Sequence, residues 1–249
     1  MNLKTLLLYT IKICLKNGGD ILSLYILSED ENDDIFYKGC VEKITGEHFE
    51  LIPRRIRKGS GISYVRKHIP LLLRDIKFSG SVENTFFLIA LDNDRSPTHP
   101  NHEIQQFFYK LPKKEQIKKC RYCEIENLAK QIFGTDRNSW PISGAIAVPV
   151  QMIESWFLLI CDSKKYENEK NLPIFAKQKS EIAKCYYAPN KPGKQLKDLC
   201  SDEREKLQIN LKKDFCQYCA ENLIPEKLKI ISSSFSLLNS QVVNWFEKK

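Results

Sequence analysis

Apolar residues in this chain come in short runs with abrupt polar ends. Ile21-Leu22-Ser23-Leu24-Tyr25-Ile26-Leu27 runs into Glu29, Asp30, Glu31, Asp33 and Asp34, and Phe86-Phe87-Leu88-Ile89-Ala90-Leu91 runs into Asp92-Asn93-Asp94-Arg95. Runs this short and this apolar predict strands covered on both faces, as in a parallel sheet. A short strand is expected at His48–Ile52 and another at Gly144–Val150. Between them the spacing turns helical. Residues 33–45 carry Ile35, Phe36, Val41 and Ile44, and residues 62–77 carry Ile62, Val65, Ile69, Leu72, Leu73 and Ile76 on one stripe, with Pro70 as a site for a kink. An amphipathic helix over 3–16 ends at Gly18-Gly19. The alternation of strand and helix predicts an α/β fold with a central, mostly parallel sheet, right-handed crossovers and flanking helices.

Residues 95–143 break that rhythm. They are polar and basic, and read as an insertion within a single domain spanning 1–249. Gln151–Cys161 then predicts an apolar helix, and 163–200, rich in Lys, Asn and Pro, a surface stretch with a short helix. A charged helix is expected at 201–220 and a closing one at 234–247, with Phe235, Leu238, Val242, Val243 and Trp245 apolar.

Composition narrows the class. The chain has 249 residues, of which 42% are apolar, enough for a substantial core. Its formal net charge of +8 puts a basic surface around an acidic centre. Such a surface suits a polyanion such as nucleic acid, and it also arises from a plain lysine-rich composition. Lys4 and Lys12 bracket Leu6-Leu7-Leu8-Tyr9 and no small-residue cleavage site follows, so no signal peptide is expected. No apolar run is long enough to span a bilayer. A soluble, cytoplasmic protein with no membrane partner is the expectation. Nine cysteines, an odd number, favour reduced thiols or a metal site over a disulfide framework.

The acidic ends carry the candidate chemistry. Ligands of open α/β sheets bind at the carboxyl ends of the strands. Side chains two apart on an extended chain point the same way, so Asp92 and Asp94 can reach one cation, and Mg²⁺ or Mn²⁺ with substrate phosphate oxygens fits such a pair. Glu29 and Asp33 can add a ligand or a proton-transfer group. Glu154 lies at the start of an apolar helix, where it is either a site residue or a helix-terminal acid favoured by the dipole. Arg54, Arg55, Arg57 and Lys58, with Gly59 and Gly61, form a loop that can clamp a nucleic-acid backbone or can be a solvated charge run. His99 and His102 with Cys120 and Cys123 make an H-x-x-H and a C-x-x-C pair with spacing close to that of structural zinc. Cys216 and Cys219 could complete a Cys₄ alternative or pack in a core. Chance spacing without metal also stays open.

These features resemble the Toprim domain of topoisomerases, primases and related nucleases. Glu29-Asp30-Glu31-Asn32-Asp33-Asp34-Ile35-Phe36 stands where Toprim-like proteins often show Glu-Gly-x-x-Glu, and Asp92-Asn93-Asp94 stands at their Asp-x-Asp. Ala145-Ile146-Ala147-Val148-Pro149-Val150-Gln151-Met152-Ile153-Glu154-Ser155-Trp156-Phe157 looks like the strand and Ile-Glu-Ala-Trp helix of a Toprim-like family of bacterial mobile and defence loci. Pro225-Glu226-Lys227-Leu228 and Ser232-Ser233-Ser234-Phe235 are similar to its closing segment. The resemblance covers most of 20–245 outside 95–143. It implies a Rossmann-like Toprim core, Glu29 as general acid/base and Asp92 and Asp94 as metal ligands. Two departures stand out: Asp30 replaces a glycine that would let a phosphate approach the backbone, and Asp33 replaces a glutamate.

The resulting expectation is a Mg²⁺-dependent, Toprim-like nuclease of a prokaryotic anti-phage defence system, with a structural Zn²⁺ as an additional candidate. The alternative is a catalytically weak sensor or adaptor that binds nucleic acid or a protein partner in a defence complex. A metal-dependent phosphotransfer or nucleotidyl-cleaving enzyme acting on a small molecule is a third reading.

Overall fold

The computed structural model describes residues 21–53, 61–79, 83–94, 96–102, 119–166, 169 and 191–246, with the side chains of 163, 166 and 191–195 outside that description. The expected helix at 3–16 and the basic loop with Arg54, Arg55, Arg57 and Lys58 lie outside the described residues.

Four strands, β1 (Leu22–Leu27), β2 (Phe49–Leu51), β3 (Thr85–Ala90) and β4 (Ser143–Ala147), pair in the order β2-β1-β3-β4, every pair parallel. All six residues of β3 are buried, as a strand covered on both faces requires. Alternation sorts them. Phe86, Leu88 and Ala90 join Leu22, Leu24, Ile26, Ala145 and Ala147 in one core, while Phe87 and Ile89 join Leu27 and Ile146 in the other.

Helix α1 (Glu31–Thr45) crosses from β1 to β2 and lays Phe36, Tyr37, Cys40 and Val41 on the first face. Helices α2 (Ile62–Ser79) and α3 (Arg121–Phe133) follow β2 and β3 and cover the opposite face with Val65, Ile69, Leu73, Ile125 and Ala129. The chain moves one way across the sheet with α1 and the other way with α2 and α3. Right-handed crossovers therefore require opposite faces. This is a Rossmann-like α/β arrangement.

Residues 95–143 are not simply a polar insertion. Tyr122, Ile125, Ala129, Trp140 and Ile142 belong to the second core, so the described part of this stretch is the crossover between β3 and β4. Its few apolar positions are spread three to four apart among charged neighbours, which hides an amphipathic helix from a reading by composition. Residues 103–118 lie outside the description.

After β4, α4 (Glu154–Cys161) and α5 (Ser163–Tyr166) are followed by α6 (Lys191–Lys206), α7 (Lys212–Asn222), α8 (Pro225–Ile231) and α9 (Ser233–Val243). These helices enlarge the first core around Trp156, Phe157, Phe215 and Phe235, all buried. The charged helix expected at 201–220 is two helices, α6 and α7, separated by a turn in which Gln208 has φ +57°. The closing helix starts at Ser233 because Ser232 accepts the amide of Phe235 at 3.0 Å as its cap. Gln241 of α9 then treats β4 as a neighbouring strand would. Its Nε2 donates to the Ile146 carbonyl at 3.0 Å, and its Oε1 accepts the Ile146 amide at 3.1 Å.

Two glycines mark close approaches. A Cβ at Gly39 would lie 2.5 Å from Ala220 Cβ, so glycine lets α1 and α7 pack together. A Cβ at Gly144 would lie 2.1 Å from the Phe87 ring. Gly144→Ala should therefore cost about 1–3 kcal/mol through overpacking. Denaturant midpoints check this. Combining it with Phe87→Leu should give a smaller loss than the sum of the single changes.

Candidate functional site

The chain leaves β1 for β2 on one side, then returns past β1 to form β3 on the other. This reversal makes a topological switch point at the carboxyl ends of β1 and β3, the usual ligand position in such sheets. Both acidic clusters end there. The Asp92 amide donates to Glu29 Oε1 at 3.1 Å, which joins the two strand ends directly. The segment after β4 arrives at the same point, where the Ile153 amide donates to Asp92 Oδ1 at 2.9 Å. Glu154 is the next residue and opens α4. Glu29 and Asp92 thus stand together at the ends of β1 and β3, and Glu154, at the start of α4, lies close enough to act on Asp92, with Asp33 on the first turn of α1.

The meeting is electrostatically uncomfortable. Burial pushes the Asp92 carboxyl well up from its ordinary value, and repulsion from Glu154 and Glu29 adds to it. Glu29 is raised by burial, which outweighs the Asp92 amide, and further by Asp94. Glu154 is raised chiefly by burial, against Lys197 and Lys212. As a whole residue Glu154 is half-buried, yet its Oε2 is sealed from solvent with no hydrogen-bond partner among the described residues. None of these three acids has an ion-pair partner among the described residues. Tyr37, buried below them, is raised by burial and then by Asp92 and Asp33.

Lys212 and Arg121 face the rest of the rim. Lys212, the first residue of α7, places its Nζ 2.8 Å from Asp33 Oδ1 and 3.2 Å from Asp30 Oδ2. These acids raise the ammonium despite its burial. Asp30 also caps α1 by accepting the Asn32 amide at 2.8 Å. Burial would raise its carboxyl, but the Asn32 amide and Lys212 together hold it down. The charge of Asp30 is therefore matched by Lys212. Arg121, buried at the start of α3, donates from Nη2 to Asp94 Oδ2 at 2.6 Å and from Nη1 to the Asp92 carbonyl.

That pairing changes the geometry expected for Asp92 and Asp94. The two-residue alternation needs extended backbone, whereas Asp94 has φ +46° and turns away from the strand. Its carboxylate is half-exposed and held by Arg121. Asn93 between them is buried and donates from Nδ2 to the Ser96 carbonyl at 2.7 Å.

His99, His102, Cys120 and Cys123 gather beside the start of α3, next to Arg121, with all their ligand atoms within 4.8 Å of one another. Cys216 and Cys219 lie in the core on the other face of the sheet, so the Cys₄ alternative does not form. Sequence reasoning missed Arg121, Lys212 and Tyr37. Arg121 had one visible signal, its place between two metal-type cysteines. Lys212 and Tyr37 had none.

Fold and rim together define a parallel α/β protein with an acidic site at its switch point. No family model, curated protein or solved structure matches the chain. No helix among the described residues is long and apolar enough to cross a membrane.

The raised carboxyls set a pH dependence. A carboxyl whose folded pKa exceeds its unfolded value binds more protons when folded, so stability falls as pH rises from the ordinary carboxylate value through the raised one. Without added cation, the thermal midpoint should therefore rise when pH is lowered from neutral toward mildly acidic, before Asp30 and Glu42, whose carboxyls are held down, begin to protonate. Glu154→Gln should flatten this slope and raise the cation-free midpoint. A gain of 1 kcal/mol corresponds to about 2–4 °C in a chain of this size. Calorimetry across pH checks both.

Proposed function

We propose that the acidic rim binds a divalent cation and hydrolyses nucleic-acid phosphodiesters, the activity implied by the resemblance to Toprim nucleases. One observation carries the reading: Glu29 and Asp92 stand together beside the start of α4 with no ion-pair partner among the described residues, and Glu154 Oε2 is left without a hydrogen-bond partner among them. A buried carboxylate oxygen without a partner is costly, and a bound cation removes that cost. All donors are hard oxygens, which suits Mg²⁺ or Mn²⁺ rather than a softer metal. Asp92 and Glu154 would hold the ion. When bound, it would stabilise charge developing on the phosphoryl oxygens and acidify a coordinated water.

The remaining roles belong to the chain itself. Glu29, whose carboxyl burial raises above its ordinary value, is suited to exchange a proton with substrate or water. Arg121 presents a guanidinium fixed beside the rim, a group matched to phosphate. Arg54, Arg55, Arg57 and Lys58 follow β2 in sequence and would hold the nucleic-acid backbone. A place in prokaryotic anti-phage defence rests on the resemblance alone.

A second reading has its own support. Lys212 and Arg121 already neutralise Asp30, Asp33 and Asp94, leaving fewer free acids than an active nuclease site would use. A catalytically weak sensor or adaptor that binds nucleic acid or a protein partner fits that pattern.

Incubation with DNA and RNA, with and without Mg²⁺ or Mn²⁺, separates the two. The nuclease reading expects metal-dependent cleavage, lost in Asp92→Asn and reduced roughly 10²–10⁴-fold in Glu29→Gln. Salt-dependent binding without turnover selects the sensor. Cleavage unchanged in Asp92→Asn removes the proposed site.

A further inference from the structure

We propose that His99, His102, Cys120 and Cys123 hold one structural Zn²⁺, which clamps the turn after β3 onto the start of α3 and thereby fixes Arg121 against the acidic rim. The four residues come from two segments, the turn 96–102 and the first turn of α3 with the residue preceding it. His102 Nε2 lies 3.2 Å from Cys123 Sγ, His99 Nδ1 lies 3.5 Å from Cys123 Sγ, and His99 Nδ1 lies 4.0 Å from Cys120 Sγ. Zinc bonds of about 2.0–2.3 Å put tetrahedral ligands about 3.3–3.8 Å apart, so the quartet is near the size of a zinc shell.

A disulfide, a helix cap or an iron–sulfur centre suits the quartet less well. Both cysteines are free thiols, and Cys120 makes no side-chain cap to the helix it precedes. An iron–sulfur centre with two histidines and two cysteines places each pair on a different iron. Here His99 Nδ1 is within 4.0 Å of both thiols, which points to a single metal centre. Four protein ligands fill the tetrahedral shell, which marks a structural site rather than a catalytic one. The ring of His99 is held by stacking on Tyr122, with centroids 4.1 Å apart and planes 25° apart. The Tyr122 hydroxyl in turn accepts from Arg137 at 3.1 Å and donates to Gln241 at 3.3 Å. Supporting contacts of this kind orient metal-ligating histidines.

The consequence lies in the sequence Cys120-Arg121-Tyr122-Cys123. The same turn of α3 supplies two thiolates to the zinc and the guanidinium to Asp94 and the Asp92 carbonyl. The turn carrying His99 and His102 follows closely on Asp92, Asn93 and Asp94 in the chain. Zinc ties both ends of the Arg121 contact together and makes Arg121 a positioned residue. This clamp does not depend on hydrolysis at the rim, because its metal is thiolate-bound and it is read by metal content.

The test uses the full chain, purified without chelator and analysed for zinc by plasma mass spectrometry. About one zinc per chain is expected in the unaltered protein and in Asp92→Asn, and almost none in Cys120→Ser or Cys123→Ser. No zinc in the unaltered protein, zinc retained in both serine variants, or a Cys120–Cys123 disulfide in unreduced peptides would overturn the proposal. Should the serine variants fail to fold, Co²⁺ exchanged into the unaltered protein decides it. Intense visible bands of a tetrahedral thiolate site are expected, and the weak spectrum of an octahedral oxygen site contradicts it. Removing zinc should speed hydrogen exchange at 96–102 and 119–124 while β1 and β3 stay protected. Unchanged exchange in those two segments would rule out the clamp.

Discussion

Burial of the carboxyls of Glu29, Asp92 and Glu154 at one rim is the constraint this molecule has to contain. Each carboxylate sits at the end of a different strand or at the helix that follows, and each is carried to the rim by packing rather than by attraction to the others. β1 and β3 are locked in register by paired apolar residues, Leu24 opposite Phe86 and Ile26 opposite Leu88 on one face and Leu27 opposite Ile89 on the other. Trp156, two residues after Glu154, is fully buried, and its indole N–H donates to Glu169 at 3.0 Å and Ser234 at 2.9 Å. The fold thus spends core stability to hold these acids together, a local conflict that the rest of the core has to offset.

The charges around the trio are arranged with a clear division. Lys212 and Arg121 match the outer acids Asp30, Asp33 and Asp94, and each cation stands on the first turn of a helix whose buried face is fixed in a core. The inner acids have no ion-pair partner among the described residues, though Lys197 and Lys212 act on Glu154 from a distance. α7 reaches the rim because Gly39 lets it lie against α1, and α3 reaches it because Tyr122 and Ile125 anchor that helix in the second core. The site is accordingly built by helices on both faces of the sheet, and neither face alone would complete it.

Much of this was legible in the sequence, for reasons that are physical. β3 announces itself because a strand buried on both faces has no polar alternation, and β1, half-buried at Ser23 and Tyr25, by its short apolar run ending in acids. Their acidic ends mark the rim because strands finish where solvent begins. α2 carries an apolar stripe that is hard to mistake, and α4 stands out because it is apolar on every side. The amphipathic α3 was hidden by its charged neighbours, and the break between α6 and α7 by the continuous polarity of 201–220. The turn at Asp94 was also unreadable, since a left-handed residue other than glycine leaves no pattern. Which acids face one another depended on the order of the strands in the sheet. Which acids are neutralised depended on Lys212, a residue 182 positions from Asp30 and of a type that is usually solvent-facing.

The most direct measurement is calorimetric titration of Mg²⁺ into the cation-free protein beside Asp92→Asn and Glu154→Gln. Saturable binding to the unaltered chain is expected, with uptake accompanied by proton release as the raised carboxyls ionise, and with loss of that binding in both variants. Absence of binding to the unaltered chain, or equal affinity in all three, would contradict the claim that these converging carboxylates form a cation site.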